Sequence, residues 1–118
     1  MKKRSTKATG DLGEEIAVTE LRRKGMRILE RNWRCQVGEI DIIGEDGDEL
    51  VLVEVKTKIG ESFGSPEEMI SEKKLDRIRS VSWCYDTEVD RKRRIDIVAI
   101  VLKQNGAILR LEHYIGMG

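Results

Sequence analysis

Apolar residues along this chain follow two rhythms, one helical and one extended. Between about Gly10 and Lys24, Leu12, Ile16, Ala17 and Leu21 recur near i, i+4, i+5 and i+9, which lines one face of a helix. Gly25 follows the basic last turn Arg22-Arg23-Lys24, the place where a left-handed residue ends a helix. Met26 to Trp33 reads as a strand with Met26, Ile28 and Glu30 on one side. Gly38 to Ile43 and Leu50 to Thr57 are the clearest strands, joined through Glu45-Asp46-Gly47-Asp48. Either Asp-Gly or Gly-Asp supplies the positive φ of a tight hairpin corner. Ser65-Pro66-Glu67-Glu68 carries a helix-start signature: a hydroxyl, a proline at the first position and a glutamate three on. Ser71 is expected to cap a longer helix running to about Tyr85, with Ile70, Leu75, Ile78, Val81 and Cys84 inward. Arg94 to Leu102 and Ala107 to His113 complete the pattern as strands about an Asn105-Gly106 corner. The order α-β-β-β-α-β-β predicts an α/β fold, a mixed central β-sheet flanked by helices.

Length fits one domain over residues 1–118, with the polar, basic residues 1–8 expected to be flexible. Apolar types supply 39% of the chain, enough for a self-standing core at this size. No apolar stretch approaches the roughly 20 residues that span a bilayer, and no hydrophobic segment follows the basic start to make a secretion signal. Cys35 and Cys84 form neither a CxxC pair nor a zinc spacing, so they read as reduced thiols in a cytoplasmic protein.

Charge changes the picture by where it sits. Lys plus Arg and Asp plus Glu number 22 each, which argues against a general polyanion binder. Residues 1–34 nevertheless carry a net charge of +5, residues 35–70 a net −8 and residues 71–94 a net +3. An acidic centre is flanked by basic arms. That arises from chance clustering on a surface, or from a cation site inside a basic rim of the kind phosphodiester chemistry requires.

The acidic centre holds the informative constellation. Period two puts Glu39, Asp41 and Ile43 on one face of the first strand. It puts Leu52, Glu54 and Lys56 on one face of the next, with Val51, Val53 and Val55 opposite. If Asp46-Gly47 forms the loop, Asp41 faces Leu52 with Glu54 diagonal. If Gly47-Asp48 forms it, Asp41 faces Glu54 directly. Both registers put Asp41, Glu54 and Lys56 on one face, with Cβ atoms roughly 5 to 8 Å apart across the strands. Two desolvated carboxylates repel unless a cation compensates them, and oxygen ligands suit Mg²⁺ or Mn²⁺. Lys56 would orient or deprotonate an attacking water, or steady developing negative charge. The plainer alternative is an ordinary two-faced strand with Glu54 and Lys56 paired in water.

Asp41 followed by Glu54-Val55-Lys56 resembles the PD-(D/E)xK nuclease signature. More closely, the chain resembles the YraN-like family of predicted endonucleases, relatives of Holliday-junction resolvases. The resemblance runs through Gly10-x-x-Gly13-Glu14-x-x-Ala17, Gly25, Arg27-Ile28-Leu29, Asn32-x-Arg34, Gly38-Glu39-Ile40-Asp41, Val53-Glu54-Val55-Lys56, Phe63-Gly64-Ser65-Pro66, Lys74 with Arg77, and Arg94-x-Asp96. It implies a restriction-endonuclease-like core. It also implies Asp41 and Glu54 as metal ligands, joined by Glu14 and the main-chain carbonyl of Val55, with Lys56 as the catalytic lysine. Glu39 takes a structural or outer role. Ile40 stands where the name-giving proline would be, Lys58 where many relatives carry arginine, and Ile115-Gly116-Met117-Gly118 lacks the usual aromatic ending.

The expected activity is hydrolysis of DNA phosphodiester bonds with Mg²⁺ or Mn²⁺, on branched or junction DNA, by a homodimer where the substrate is symmetric. Lys74, Arg77 and Arg34 are the candidate nucleic-acid contacts. Arg91-Lys92-Arg93-Arg94 reads first as a solvated turn before a strand and second as a phosphate contact. Asp96, in an apolar strand, is expected to be held by an arginine. His113 is the only histidine and supports no serine-type or histidine-metal mechanism. A non-catalytic DNA-binding or adaptor domain is the rival reading, and a structural protein with no affinity for nucleic acid a third.

Overall fold

A computed structural model describes residues 6–60, 64 and 66–117. The elements run α1 (Thr6–Arg23), β1 (Arg27–Cys35), β2 (Gly38–Asp46), β3 (Glu49–Ile59), α2 (Pro66–Met69), α3 (Glu72–Tyr85), β4 (Lys92–Leu102) and β5 (Ile108–Tyr114). The strands form one five-stranded sheet in sequence order, with β3 and β4 parallel and every other pair antiparallel. The α/β class and the mixed sheet flanked by helices are as the apolar pattern predicts. Among the described residues, no helix is long and apolar enough to cross a membrane.

The sheet separates two cores. On one face α1 packs Ala17, Val18 and Leu21 against Ile42, Val51, Val53, Val98 and Ile100. On the other, α3 packs Leu75, Ile78 and Val81 against Ile40, Ile43, Leu50, Leu52, Ile95 and Ile97. β3 and β4 serve both layers, which is why they read as near-continuous apolar runs.

Helix ends follow local chemistry. The Ser71 side chain accepts the Lys74 amide at 3.1 Å, capping α3 as expected. At the end of α1, Gly25 has φ 97°, and the Gly25 and Met26 amides return to Arg22 and Leu21 at 2.9 and 3.0 Å. That is the paired bonding of a left-handed helix stop.

Some details differ from the sequence reading. Helix α1 starts at Thr6, earlier than the Gly10 start the apolar spacing suggested, and Lys7 pairs with Asp11 one turn on. Residues 1–5 and the Ser65 cap lie outside the described residues. Leu12 is 40% exposed while Val18 is buried, so the inward stripe of α1 is centred later than its apolar spacing suggested. Cys84 is exposed rather than inward. Gly13 sets how closely α1 approaches the sheet: a Cβ there would fall 1.9 Å from the Thr57 hydroxyl on β3. Only a glycine lets the helix cross at that depth, and the crossing fixes where Glu14 begins.

Candidate functional site

The β2–β3 register decides the first question left open by the sequence. Asp46 pairs with Glu49 and Ile42 with Val53, so Gly47-Asp48 is the two-residue loop, with Gly47 at φ 63°. Extending that register sets Asp41 across from Glu54. Glu54 continues the α3-side row of Leu50 and Leu52, and is only 8% exposed. Val51, Val53 and Val55 line the α1 side.

Strict alternation fails at Asp41, however, and the failure builds the site. Ile43 lies in the α3 layer and Ile42 in the α1 layer, but Ile40 returns to the α3 layer, so the faces slip at Asp41. The adjoining strand slips with it. Arg31 pairs with Glu15 of α1 at 3.0 Å, whereas Trp33, two residues on, stacks edge-on against Tyr85 of α3 at 5.2 Å. Between them Asn32, the residue across from Asp41, has φ 51°. Asparagine is among the few side chains that tolerate this left-handed conformation. Regular β2–β3 pairing ends at Ile42 and Val53. Beyond it the Asp41 carboxylate replaces a main-chain acceptor and receives the Val55 amide at 2.8 Å. Asp41 therefore sits in the fork between two parting strands.

Four further side chains converge on the fork. Lys74, from the first turn of α3, places Nζ 3.4 Å from Glu54 Oε2, and Lys56 places its own Nζ 3.8 Å from the same oxygen. Glu14 of α1 accepts a hydrogen bond from Asn32 Nδ2 at 3.0 Å. Burial raises the pKa of Glu54; the Asp41 charge adds to this, and Lys74 and Lys56 oppose it. Asp41 is likewise pushed up by burial, against the pull of the Val55 amide and the two lysines. Glu14 is raised by burial and by the Asp41 charge, with Asn32 and Arg31 working the other way. Glu14 and Glu54 thus each sense the Asp41 charge, and all three carboxyl groups are disfavoured as anions, the condition a cation relieves. Among the described residues, no three His, Cys, Asp or Glu side chains stand close enough to share one ion as placed. After its own burial, Glu54 is raised most by the Asp41 charge, while Glu14 is held by Asn32. A carboxylate pair fits Mg²⁺, which commonly takes one or two carboxylates and completes its shell with water and phosphate oxygens.

The other predicted residues are placed as follows. Arg34 is 78% exposed and pairs with Glu39 at 3.0 Å, while the Arg77 side chain lies against Gly38, so both lie toward the β1–β2 turn, two to three residues along β2 from Asp41. Lys74 belongs inside the site rather than only on its rim. The basic run is neither a solvated turn nor a free anion-binding patch. Arg91 pairs with Glu45 and Asp86 at 2.7 and 3.3 Å, Lys92 with Asp48 at 3.3 Å, and Arg94 with Asp46, Glu49 and Asp96 at 2.9 to 3.0 Å. Arg93 lies 3.9 Å above the Trp83 ring and donates to the Ser82 and Glu88 carbonyls. Apart from Asp96 on β4 itself, these partners come from the β2–β3 turn, the end of α3 and the residues just after it.

Asp96 is fully buried and held by an arginine as expected, with Arg94 Nε and Nη2 at 3.0 and 3.2 Å. Sequence reasoning missed its other partners. The Gly116 amide donates to it at 3.0 Å, and His113 Nε2 lies 2.8 Å away. Lys24 Nζ, a donor only, approaches His113 Nδ1 at 2.9 Å, which leaves the ring proton on Nε2, facing Asp96. Burial alone would raise the Asp96 pKa, but His113, Arg94 and the Gly116 amide outweigh it and hold it low. This clasp ties the C-terminal segment to β4 and is structural. Asn32 was also unassigned; an asparagine inside a strand-like run was the available signal.

Residues 13–100 match the model of a family described as Uncharacterised protein family UPF0102. The chain belongs to this family. A UPF0102 protein from Arthrobacter sp. (strain FB24) is 46% identical over 112 residues, covering 92% of this chain and 94% of the relative. One from Pelotomaculum thermopropionicum is 40% identical over 111 residues, covering 92% of each. The resemblance read from the sequence motifs is to this same family, and the matched span holds Glu14, Asn32, Asp41, Glu54, Lys56 and Lys74. Among solved structures, an fdxN element excision controlling factor protein from Anabaena variabilis is 17% identical with a TM-score of 0.47, over 86% of this chain and 98% of that one. That likeness is too slight to bear on function.

Proposed function

We propose that this UPF0102 chain is a Mg²⁺- or Mn²⁺-dependent endonuclease that hydrolyses DNA phosphodiester bonds. The observation carrying this reading is the fork: Asp41 receives the Val55 amide at 2.8 Å where the strands part, beside Glu54, buried but for 8% of its surface and within 4 Å of two lysines. A purely structural ion pair needs neither a second buried carboxylate nor a broken ladder.

Asp41 and Glu54 would hold the ion, joined by the Val55 carbonyl and by Glu14 once Asn32 releases or redirects it. When bound, the ion supplies Lewis-acid chemistry, drawing negative charge from a phosphoryl group and making a nearby water more acidic. Lys56 lies on the α3 side of β3 and is about one-third exposed. In this reading it would orient the attacking water or steady the charge that develops. Arg34 and Arg77, on the side of the β1–β2 turn, would position the DNA backbone without reading its sequence. Branched DNA is the proposed substrate, and two copies of the chain would be needed to cut both strands of a symmetric junction.

Cleavage of linear, flapped and four-way DNA in Mg²⁺ or Mn²⁺, beside Asp41→Asn, Glu54→Gln and Lys56→Ala, tests the proposal. Metal-dependent cutting abolished by each substitution is the expected result. Salt-sensitive DNA binding with no cutting on any substrate would favour a non-catalytic adaptor. Cutting that survives all three substitutions would place the chemistry elsewhere.

A further inference from the structure

Lys74 has a position that the proposed chemistry does not use. Its backbone is fixed in the first turn of α3, where its amide donates to the Ser71 cap. Its side chain then reaches over the sheet to Glu54 Oε2 at 3.4 Å, an oxygen that also has Lys56 Nζ at 3.8 Å. Asp41, Glu54, Lys56 and Lys74 together carry no net charge, so the two amines already balance the two carboxylates. A divalent ion must compete with them for the same oxygen. The competitors are not equivalent. They are exposed to a similar degree, 33% and 38% of their side chains, but Lys56 is two residues from Glu54 on the same strand, whereas Lys74 reaches the carboxylate from a different element, α3. Of the two, Lys74 alone can part from Glu54 without any change in β3, because its backbone belongs to α3.

Resting on the nuclease reading, we propose that Lys74 is a displaceable counter-ion: it neutralises Glu54 until a divalent cation binds, then turns outward to grip a substrate phosphate. Once the carboxylates are neutralised by metal, the site holds two uncompensated amines and attracts a polyanion. Metal and DNA then bind with positive coupling, each lowering the cost of the other. Lys74 acts on metal affinity through Glu54 and on DNA directly, so its removal moves the two in opposite directions. A merely structural lysine would not do that.

The test is calorimetric titration of Mn²⁺ into the full chain without DNA, comparing wild type with Lys74→Gln and Lys74→Arg, followed by cleavage rates at saturating Mn²⁺. A unit charge a few ångströms from a divalent ion, in a partly solvated site, changes affinity by about tenfold. Lys74→Gln should therefore bind Mn²⁺ up to about tenfold more tightly and yet cleave DNA at least severalfold more slowly, while Lys74→Arg keeps wild-type metal affinity. Melting curves confirm that the variants fold. If wild type binds Mn²⁺ but Lys74→Gln binds it no more tightly, or cleaves at the wild-type rate, this inference is wrong and the nuclease reading stands. If wild type takes up no Mn²⁺, both fall.

Discussion

Two carboxylates on adjacent strands, Glu54 on β3 and Asp96 on β4, are nearly as buried as each other, at 8% and 0% exposed. Their surroundings nevertheless predict opposite responses to neutralisation. Asp96 accepts two hydrogen bonds from Arg94, one from His113 and one from the Gly116 amide, and its pKa is held low. Asp96→Asn removes the buried anion that Arg94, His113 and the Gly116 amide share, and breaking such a pair from one side costs about 3–5 kcal/mol, toward the lower end here because Arg94 keeps Asp46 and Glu49. For a domain of this size, that lowers Tm by roughly 10–20 °C. Glu54 faces a second carboxylate, is compensated only by two partly exposed amines, and has a raised pKa. Glu54→Gln removes the repulsion, so the metal-free protein should gain on the order of 1 kcal/mol at pH 7–8. The pH dependences also differ in sign. The stability due to Asp96 is present above the ordinary aspartate pKa and disappears as acid titrates the depressed folded-state value. The penalty from Glu54 is absent in acid and grows as pH rises through its raised folded-state value, so the gain in Glu54→Gln should fade below about pH 4. Urea denaturation between pH 4 and 8 in chelator measures both. A Glu54→Gln protein that is less stable than wild type at pH 8 would refute the claim that this carboxylate is poised for a cation.

Three further outcomes follow from the geometry. Gly13→Ala should destabilise the chain by about 1–3 kcal/mol through collision with Thr57, and adding Thr57→Ala should recover most of the loss in thermal melts. Because Gly13 precedes Glu14, the single variant should also weaken Mn²⁺ binding by calorimetry, and the double variant should restore it. Ser71→Ala removes the cap of α3 and should cost about 1 kcal/mol in denaturant titrations.

Much of the frame was legible because local chemistry determined it. Ser71 and Gly25 marked helix ends through a side-chain acceptor and a left-handed residue, and Val51, Val53 and Val55 against Leu52 and Glu54 gave the two faces of β3. The hairpin register was not legible, since Asp46-Gly47 and Gly47-Asp48 both satisfy the turn; pairing across five residue positions settled it. The slip at Asn32 and Asp41 was hidden for a different reason. A period-two reading presumes an unbroken ladder, and here the ladder is broken to let a side chain take a main-chain hydrogen bond. Lys74 looked like a surface lysine because its helical position is one; its reach to Glu54 depends on how α3 crosses the sheet. The same holds for Arg91 to Arg94, whose acidic partners are brought together only by the fold.

The central claim is that Asp41 and Glu54 converge on a divalent cation, and a Mn²⁺-soaked crystal examined by anomalous scattering tests it most directly. The account predicts one peak within coordination distance of both carboxylates, lost in Asp41→Asn. A Mn²⁺ peak bound elsewhere with the fork empty, or one that persists in the Asp41→Asn and Glu54→Gln double variant, would contradict it.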